Sequence, residues 1–207
     1  INGRKIRFIS YDDAFSPPKA VEQTRKLVES DNVLFVFGQT GSSSAAAVVK
    51  YLNANKVPQV MVASGATRFY DPVNSPWTTG FAQSPYRIEA GAYARYILEK
   101  IPNAKVAILY QNDEFGRDFY AGFKDVLGDR FSKLVVGEAA YDLSDPTIDT
   151  HVIQLKASGA DVLVDFTTPR FAALVIRKLS EIGWKPVHML GSVSNSISAV
   201  LEVAGLD

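Results

Sequence analysis

Short apolar runs alternate with longer amphipathic stretches along most of the chain. The runs are rich in β-branched and aromatic residues and are apolar at consecutive positions, so both faces of each run are predicted to be buried. They are Ile6–Ser10, Val33–Phe37, Val60–Ala63, Val106–Tyr110, Leu134–Val136, Val162–Phe166 and Val187–Leu190. Strands of this kind are typical of parallel sheets that carry helices on both faces.

The stretches between these runs carry apolar residues at helical spacing. Ser16, Ser42 and Asp145 are predicted to begin helices, and the helix that follows Pro169 is predicted to end at Gly183. Strand–helix alternation predicts an α/β protein built from doubly wound parallel sheets.

The alternation is interrupted once, between the strands near Val60 and Val106. This interval holds a segment rich in Pro, Asn and Ser, a short strand at Thr78–Ala82 and a helix from Pro85 to about Lys100. We predict a crossing between two lobes near residues 82–84, with a first lobe over residues 1–83 and a second over 84–207. A single continuous sheet with one long insertion is the alternative.

Composition narrows the classes of function. The chain has 22 Lys and Arg against 22 Asp and Glu, and a protein without net positive charge is poorly suited to nucleic acid or anionic membranes. It has no cysteine, which excludes disulfides, a thiolate nucleophile and cysteine-ligated metals. His151 and His188 are its only histidines. We therefore predict no metal and no cofactor. No apolar run approaches the ~20 residues of a membrane span.

Ligands of open parallel sheets bind beyond the carboxyl ends of the strands, so the loops there are the candidate site. In the first lobe these loops are Gly38–Ser44 and Ser64–Arg68, which combine glycines with hydroxyls and, in the first case, a helix start that suits a carboxylate or phosphate. An ordinary turn with a helix cap is the alternative. In the second lobe the loops are Gln111–Gly116, Thr167–Pro169 and Gly191–Asn195. In the first of these, the alternatives are that Asp113 is only a helix cap and that Phe115 is a core residue.

These loops contain no convincing catalytic set. The pattern G-x-S-x-G fails because Ala45 stands where its last glycine belongs. His151 falls in a predicted helix and His188 in a predicted strand, so no base is expected beside Ser42. The loops predict a binding pocket and no enzyme.

Several segments together resemble branched-chain amino-acid-type periplasmic binding proteins, the type I solute-binding components of ABC importers. The similar segments are Asn2–Ile6, Tyr11–Asp13, Pro17–Gln23, Lys56–Gln59, Ala107–Asp113, Leu155–Asp161 and Glu181–Pro186. The resemblance implies two α/β lobes that close on a small ligand. Members of the family are longer and begin with a further strand before Ile6, so it also implies an incomplete fragment.

The resemblance implies that the ligand carboxylate is held at Gly41 and Ser42, with an aromatic contact from the second lobe. The implied ligand-binding residues are Thr40, Gly41, Ser42, Gly65, Ala66, Thr67, Phe115, Thr167, Thr168 and Ser192. Amino-acid-binding members usually carry an acid near the position of Ser192 to pair with the ligand ammonium, and residues 191–194 contain none. This absence favours an acid without an amine, unless Asp165 or Glu114 supplies the charge.

The function that the resemblance implies is an extracytoplasmic, periplasmic solute receptor. It would bind an aromatic acid, an aliphatic acid or a branched-chain amino acid between its lobes and deliver it to the membrane permease of an ABC importer. We expect a monomer that binds no nucleic acid. One alternative is a ligand-sensing receptor domain with the same pocket. The other, from a different class of function, is an α/β hydrolase-like enzyme.

Overall fold

A computed structural model describes residues 2–81 and 84–205. The chain divides into two compact units, residues 1–83 and 84–207. Each unit has its own parallel sheet and its own helices, so the single continuous sheet is wrong. The predicted crossing near residues 82–84 lies largely outside the described residues, as does the end of the strand predicted at Thr78–Ala82.

The first unit contains a three-stranded parallel sheet in the order β1-β2-β3. The strands are β1 (Val36–Phe37), β2 (Gln59–Val62) and β3 (Thr78–Gly80). The helices are α1 (Pro17–Arg25), which continues as a π-helical segment (Lys26–Ser30), α2 (Ser42–Ala54) and a 3₁₀ turn (Thr67–Tyr70). Ala20, Val36, Val48 and Leu52 form its buried cluster.

The second unit contains a four-stranded parallel sheet in the order β5-β4-β6-β7. Its strands are β4 (Val106–Gln111), β5 (Val135–Tyr141), β6 (Val162–Phe166) and β7 (Val187–Leu190). The α-helices are α3 (Tyr86–Lys100), α4 (Glu114–Leu127), α5 (Phe131–Leu134), α6 (Asp149–Ala157), α7 (Pro169–Glu181) and α8 (Glu202–Ala204). Short helical segments lie at Gly128–Arg130, Ser192–Ser194 and Ile197–Leu201.

The central strands of the second sheet are buried on both faces, as their continuous apolar sequence predicted. All of β6 is buried, and in β4 only Tyr110 is partly exposed. Apolar residues of α6 and α7, among them Leu155 and Val175, pack in the cluster that covers one face. Burial of this kind, worth about 25 cal/mol per Å² of apolar surface, holds the strand ends of this unit in fixed positions.

Gly116 allows α4 to approach the end of β4 closely. A Cβ atom at this position would overlap the backbone of Gln111, including its carbonyl oxygen. Only glycine fits here, because the atoms in the way belong to the backbone and, unlike the end of a flexible side chain, cannot move aside. The contact places the first turn of α4 directly against the strand end.

Ile6–Ser10, predicted as a strand, is not one. A strand needs a neighbour that takes up its backbone N–H and C=O groups, and within residues 2–81 this segment has no ladder partner. Ile6 and Phe8 are consequently exposed. The apolar pattern was correct for a buried strand, but pattern alone cannot supply the neighbouring strand.

The helix start predicted at Ser16 is confirmed without a capping hydrogen bond, and the one predicted at Asp145 is wrong. Ser16 occupies the N-cap position of α1, yet its side chain makes no capping hydrogen bond. Pro17 and Pro18 open that helix, so the first amides that a cap would serve are missing. Asp145 precedes α6 by several residues; its carboxylate accepts from the Asp142 amide at 2.9 Å, and Ile148 is the N-cap.

The strand predicted at Leu134–Val136 begins one residue later and continues to Tyr141. Its exposed positions alternate with buried or partly buried ones, because it is an edge strand of the sheet. Polar residues such as Glu138 therefore belong to it, and the search for continuous apolar runs missed them.

Candidate ligand-binding site

The two polar loops of the first unit lie side by side beyond its sheet. Thr40 forms an isolated parallel bridge with Ala63, one residue beyond the end of β2. The Thr40 side chain is exposed, and α2 begins two residues further on, at Ser42. The bridge brings the start of α2 next to the loop that contains Gly65, Ala66 and Thr67.

Gly41 is the N-cap of α2 and has a φ of +94°, a conformation that favours glycine. Having no side chain, it cannot accept from the amides of the first turn of α2. The first amide that bonds to a carbonyl of this turn is that of Ala45, which donates to the Gly41 oxygen at 2.9 Å. The start of α2 therefore combines donor groups with the positive end of a helix dipole.

Ser42 and Ser64 join the two loops through their hydroxyl groups. The two oxygens are 2.8 Å apart and both residues are buried. Ser64 Oγ also accepts from the Ala66 amide at 3.1 Å. A pair of hydroxyls uses one hydrogen for its mutual bond, and within the described residues the second hydrogen has no assigned acceptor. The pair thus holds one hydroxyl donor for an additional acceptor.

The remaining predicted residues of the first unit belong to the loop after β2. Gly65 and Ala66 are buried, and Thr67 is exposed at the start of the 3₁₀ turn. Ala66 packs as a buried apolar residue while its amide is bonded to Ser64. The bond between Ser64 and Ala66 fixes this loop from within, and Thr67 and Arg68 are exposed.

Phe15 is an aromatic neighbour of the α2 start that our sequence analysis missed. A Cβ atom on Gly41 would meet the Phe15 ring at 2.9 Å, so the ring lies directly against this glycine. Ala14 and Phe15 both have positive φ, at 51° and 58°. Such strain is uncommon away from functional sites. Asp12 and Asp13 hold it by accepting from the two amides at 2.8 Å. In the sequence, the available signal for this turn was the pair Asp12 and Asp13 directly before Ala14 and Phe15.

The strand ends of the second unit are joined by a buried network of hydrogen bonds. Gln111 Oε1, at the end of β4, accepts from Tyr141 Oη at 2.9 Å and from Thr168 Oγ1 at 3.0 Å. The Thr168 amide donates to Tyr141 Oη at 3.0 Å. Burial raises the pKa of the Tyr141 hydroxyl above its ordinary value. Thr168, a predicted ligand residue, is therefore tied to the ends of β4 and β5.

Phe115 lies in an aromatic cluster beside this network. It is 5% exposed and makes edge contacts with Tyr86 and Phe119, with ring centroids 5.1 and 5.3 Å apart. Asp113 caps α4 by accepting from the amides of Phe115 and Gly116. The structure thus shows both alternatives raised for this loop, a capping aspartate and a packed aromatic ring.

Thr167 follows β6 and carries a buried hydroxyl without a partner. The residue is 1% exposed, and Oγ1 has no hydrogen bond within the described residues. Its carbonyl accepts from Ser194 Oγ at 2.6 Å, and its amide donates to Asp165 Oδ1 at 3.1 Å. A buried hydroxyl left without a partner costs ~1–3 kcal/mol, and ligand binding by Thr167 stays a prediction.

Asp165 does not serve as an available acid. It is fully buried within β6, and its second carboxylate oxygen lies 3.0 Å from His188 Nε2 on β7. Its first carboxylate oxygen accepts from the Thr167 amide, so both oxygens of Asp165 are engaged. His151 lies in α6, with its Nδ1 buried and unpartnered. Both histidines therefore lie in the elements predicted for them.

The acid missing from the sequence around Ser192 comes from α3. Glu89 accepts from the Ser192 amide at 2.7 Å through Oε1 and from the Ser192 hydroxyl at 2.6 Å through Oε2. Tyr93 Oη lies 2.8 Å from Glu89 Oε1, and burial together with this carboxylate raises the Tyr93 pKa. Glu89 and Ser192 are 103 residues apart in the sequence, which explains why sequence reasoning overlooked this acid. Because an acid does lie beside Ser192, its absence from residues 191–194 no longer disfavours an amine in the ligand.

Residues 2–81 and 84–205 contain neither a metal cluster nor a membrane-spanning helix. No group of three or more His, Cys, Asp or Glu residues is arranged to hold a metal ion there. Among the helices of the same ranges, none has the length and apolarity needed to cross a membrane.

A family model described as periplasmic binding protein matches residues 1–206. The chain belongs to this family. It is of the type I, branched-chain amino-acid kind that the sequence resembled, and the prediction of fold and family is confirmed. Leu/Ile/Val-binding protein homolog 7 of Brucella abortus is 22% identical over the whole chain and 53% of its own length. The Leu/Ile/Val-binding protein of Escherichia coli K12 is 28% identical over 61% of the chain and 34% of its own length.

Solved structures agree on the fold. A substrate-binding periplasmic protein from Ralstonia solanacearum superimposes with a TM-score of 0.87 at 23% identity, over all of this chain and 57% of its own. An ABC transporter solute-binding protein from Rhodopseudomonas palustris, solved with 4-hydroxybenzoate, gives 0.83 at 19% identity over 99% of this chain and 55% of its own. Where a curated relative matches all of this chain, the chain spans about half of that relative's length.

Proposed function

We propose that this chain is the ligand-recognising part of an extracytoplasmic solute receptor. The receptor binds a small carboxylate and delivers it to the permease of an ABC importer, without chemical conversion of the ligand. The ligand is an aromatic acid, an aliphatic acid or a branched-chain amino acid. The observation that carries the proposal is the start of α2, where a glycine N-cap adjoins a buried pair of serine hydroxyls.

Donors at the start of α2 suit a carboxylate. Amides of the first turn and the positive end of the helix dipole favour a negative group. The pair formed by Ser42 and Ser64 adds one hydroxyl hydrogen without an assigned acceptor. A carboxylate accepts several such bonds at once, and hydrogen bonds to a charged group are worth ~1.5–3 kcal/mol each. Phe15 adds an apolar surface beside these donors, which suits a ligand with an aliphatic or aromatic body.

The second unit supplies groups that suit binding and lacks a catalytic set. The unpartnered hydroxyl of Thr167 is a candidate for direct contact with a ligand. The buried network of Gln111, Tyr141 and Thr168 keeps the neighbouring strand ends in one arrangement, as a preorganised site requires. His188 is engaged with Asp165 and so is a poor general base.

Relatives supply the range of ligands. Leucine, isoleucine and valine appear in the names of the curated relatives, and 4-hydroxybenzoate occupies one structural neighbour. These compounds share a carboxylate and an apolar body. Import by an ABC permease is carried over from the same neighbour, which is described as part of an ABC transporter.

A thermal-shift screen of the full-length protein tests the proposal. Benzoate, 4-hydroxybenzoate and leucine are compared with benzyl alcohol and leucinol, which lack the carboxylate. A ligand at 100 times its Kd stabilises the fold by ~2.7 kcal/mol, so at least one acid raises the Tm by several degrees while its alcohol does not. The proposal would be refuted if an alcohol stabilised the protein as strongly as its acid. It would also be refuted if no acid in the series raised the Tm.

A further inference from the structure

The second unit contains an open cavity of about 540 Å³ at one edge of its sheet. Two of the residues that line it, Lys105 and Leu134, directly precede β4 and β5. The strand pairs of this sheet are parallel, so the cavity lies at the amino-terminal ends of the strands. The candidate ligand-binding loops of this unit follow the carboxyl ends, at the opposite edge of the same sheet.

Three cationic side chains line this cavity, and no Asp or Glu lines it. Lys105, Arg130 and Lys133 are exposed, and within the described part of the chain none of these side chains has a hydrogen bond or an ion pair. Asp161 Oδ1 accepts from the Lys105 backbone amide at 2.8 Å, but Asp161 does not line the cavity. Because the whole chain has as many acidic as basic residues, 22 of each, the cavity is a local excess of positive charge.

Arg130 and Lys133 repel each other across one helical turn. Arg130 ends the helical segment Gly128–Arg130, and Lys133 belongs to α5, which begins at the next residue. Side chains three positions apart on a helix are neighbours, and two like charges there are destabilising. An anion bound between such cations removes the repulsion, which is the physical reason to expect one in this cavity.

Helix dipoles offer a second role for these cations, because α3 ends at Lys100 and α4 at Leu127. A cation near the end of a helix stabilises it. This role requires no cavity, and it predicts that removal of a cation lowers the stability of the free protein. Relief of repulsion predicts the opposite effect, so a stability measurement distinguishes the two roles.

We propose that this cavity is a binding site for a small organic phosphate. A planar guanidinium matches two phosphate oxygens at once, and the two ammonium groups add point charges. The volume falls within the roughly 300–1,000 Å³ of small-molecule sites, and Pro102, Ala104 and Leu134 provide apolar surface for the organic part. The phosphate belongs either to a free ester or to a phospholipid headgroup. The site shares no residue with the candidate ligand-binding loops, so it does not depend on the proposed function.

Calorimetric titration of the full-length protein at low salt compares glycerol 3-phosphate with glycerol, which lacks the phosphate. We expect only glycerol 3-phosphate to bind, with an affinity that falls as added salt screens the cations. Lys105→Gln, Arg130→Gln and Lys133→Gln each weaken binding by about tenfold, because each removes a charge-assisted hydrogen bond. Lys185→Gln, an exposed site just before β7 at the same edge of the sheet, is the matched control and retains wild-type affinity.

Sedimentation with vesicles identifies the source of the phosphate. Pelleting with vesicles of phosphatidylcholine and phosphatidylglycerol in equal amounts, but not with phosphatidylcholine alone, supports the site with a lipid headgroup as its ligand, provided that Arg130→Gln abolishes the pelleting. Binding of glycerol 3-phosphate without pelleting supports the site with a free ester as its ligand.

Urea unfolding in phosphate-free buffer separates the anion site from the helix-end role. We expect the midpoint of each cavity variant to equal or exceed that of the wild type. The inference is overturned if neither glycerol 3-phosphate nor the phosphatidylglycerol vesicles bind, or if binding is unchanged in all three cavity variants. Midpoints below the wild-type value in all three variants also overturn it, because they show that the cations serve the helix ends.

Discussion

The two units present their strand ends in different ways. In the first unit the strands have two, four and three residues, and within the described residues the Ser42–Ser64 hydroxyl pair beyond them has one hydrogen without an assigned acceptor. In the second unit the strands have four to seven residues, and the side chains of Gln111, Tyr141 and Thr168 beyond them are bonded to one another. A large buried core and a hydrogen-bonded network fix the second unit, whereas the first has a smaller buried cluster.

The apolar surfaces differ in the same way. The first unit leaves large side chains such as Phe8 and Leu34 exposed at 79% and 82%, whereas β4 and β6 of the second unit are almost wholly buried. Similar apolar runs thus have different fates, because burial depends on which elements are available to cover them. The second unit is accordingly expected to tolerate less change at its backbone contacts.

The largest effect is expected from Gly116→Ala in the second unit. The added Cβ overlaps the Gln111 backbone, so α4 must move away from β4, at a cost of about 3 kcal/mol or more in the free energy of unfolding. Gly91→Ala on α3 is the matched control. Its Cβ meets only the tip of the Val126 side chain at 3.0 Å, so its effect stays within about 1 kcal/mol. Urea unfolding measures both, and equal effects would contradict the tight contact.

A smaller effect is expected from Tyr141→Phe, which opens the network. Loss of the hydroxyl removes one of the two donors to Gln111 Oε1 and leaves the Thr168 amide without its acceptor, which costs about 1–3 kcal/mol at pH 8. Tyr96→Phe, at an exposed position of α3, is the control and has no comparable effect. Urea midpoints distinguish the two, and equal stability of both variants would argue against a network that fixes the strand ends.

The same variant has a predicted pH dependence. Because the pKa of Tyr141 is raised in the folded state, the native protein retains this proton where the unfolded chain loses it. The free energy of unfolding therefore falls as pH rises above the unfolded value of about 10. Tyr141→Phe loses less stability than the wild type between pH 8 and pH 10.5, and an equal loss in both would show that Tyr141 does not contribute.

The smallest effect is expected in the first unit, from relief of its strained loop. Ala14 has a φ of 51°, so Ala14→Gly stabilises the native loop by about 0.5–1 kcal/mol, less the entropy that glycine adds to the unfolded chain. The matched control is Ala47→Gly on the exposed face of α2, which costs about 1 kcal/mol. Hydrogen exchange of peptides from residues 2–81 measures both effects. Slower exchange in Ala47→Gly than in Ala14→Gly would contradict the assignment of strain to Ala14.

Local sequence predicted those parts of the molecule that depend on local forces. Buried runs such as Val162–Phe166 became strands, and Ser42 began α2 directly after a glycine. Ile6–Ser10 was wrong because a strand depends on a distant neighbour. Glu89 was missed for a related reason, since its partner Ser192 lies on a different element far along the chain. Phe15 was missed because its local signal, the pair Asp12 and Asp13, does not by itself indicate which residue lies against the start of α2.

The donor pair at the start of α2 is the central claim, and titration of a Ser42→Ala variant tests it most directly. Full-length wild type, Ser42→Ala and the exposed control Ser180→Ala are titrated with the acid that gives the largest thermal shift. We expect Ser42→Ala to weaken binding by about 10- to 100-fold, while the affinity of Ser180→Ala and the folding of all three proteins are unchanged. Wild-type affinity in Ser42→Ala would contradict the claim.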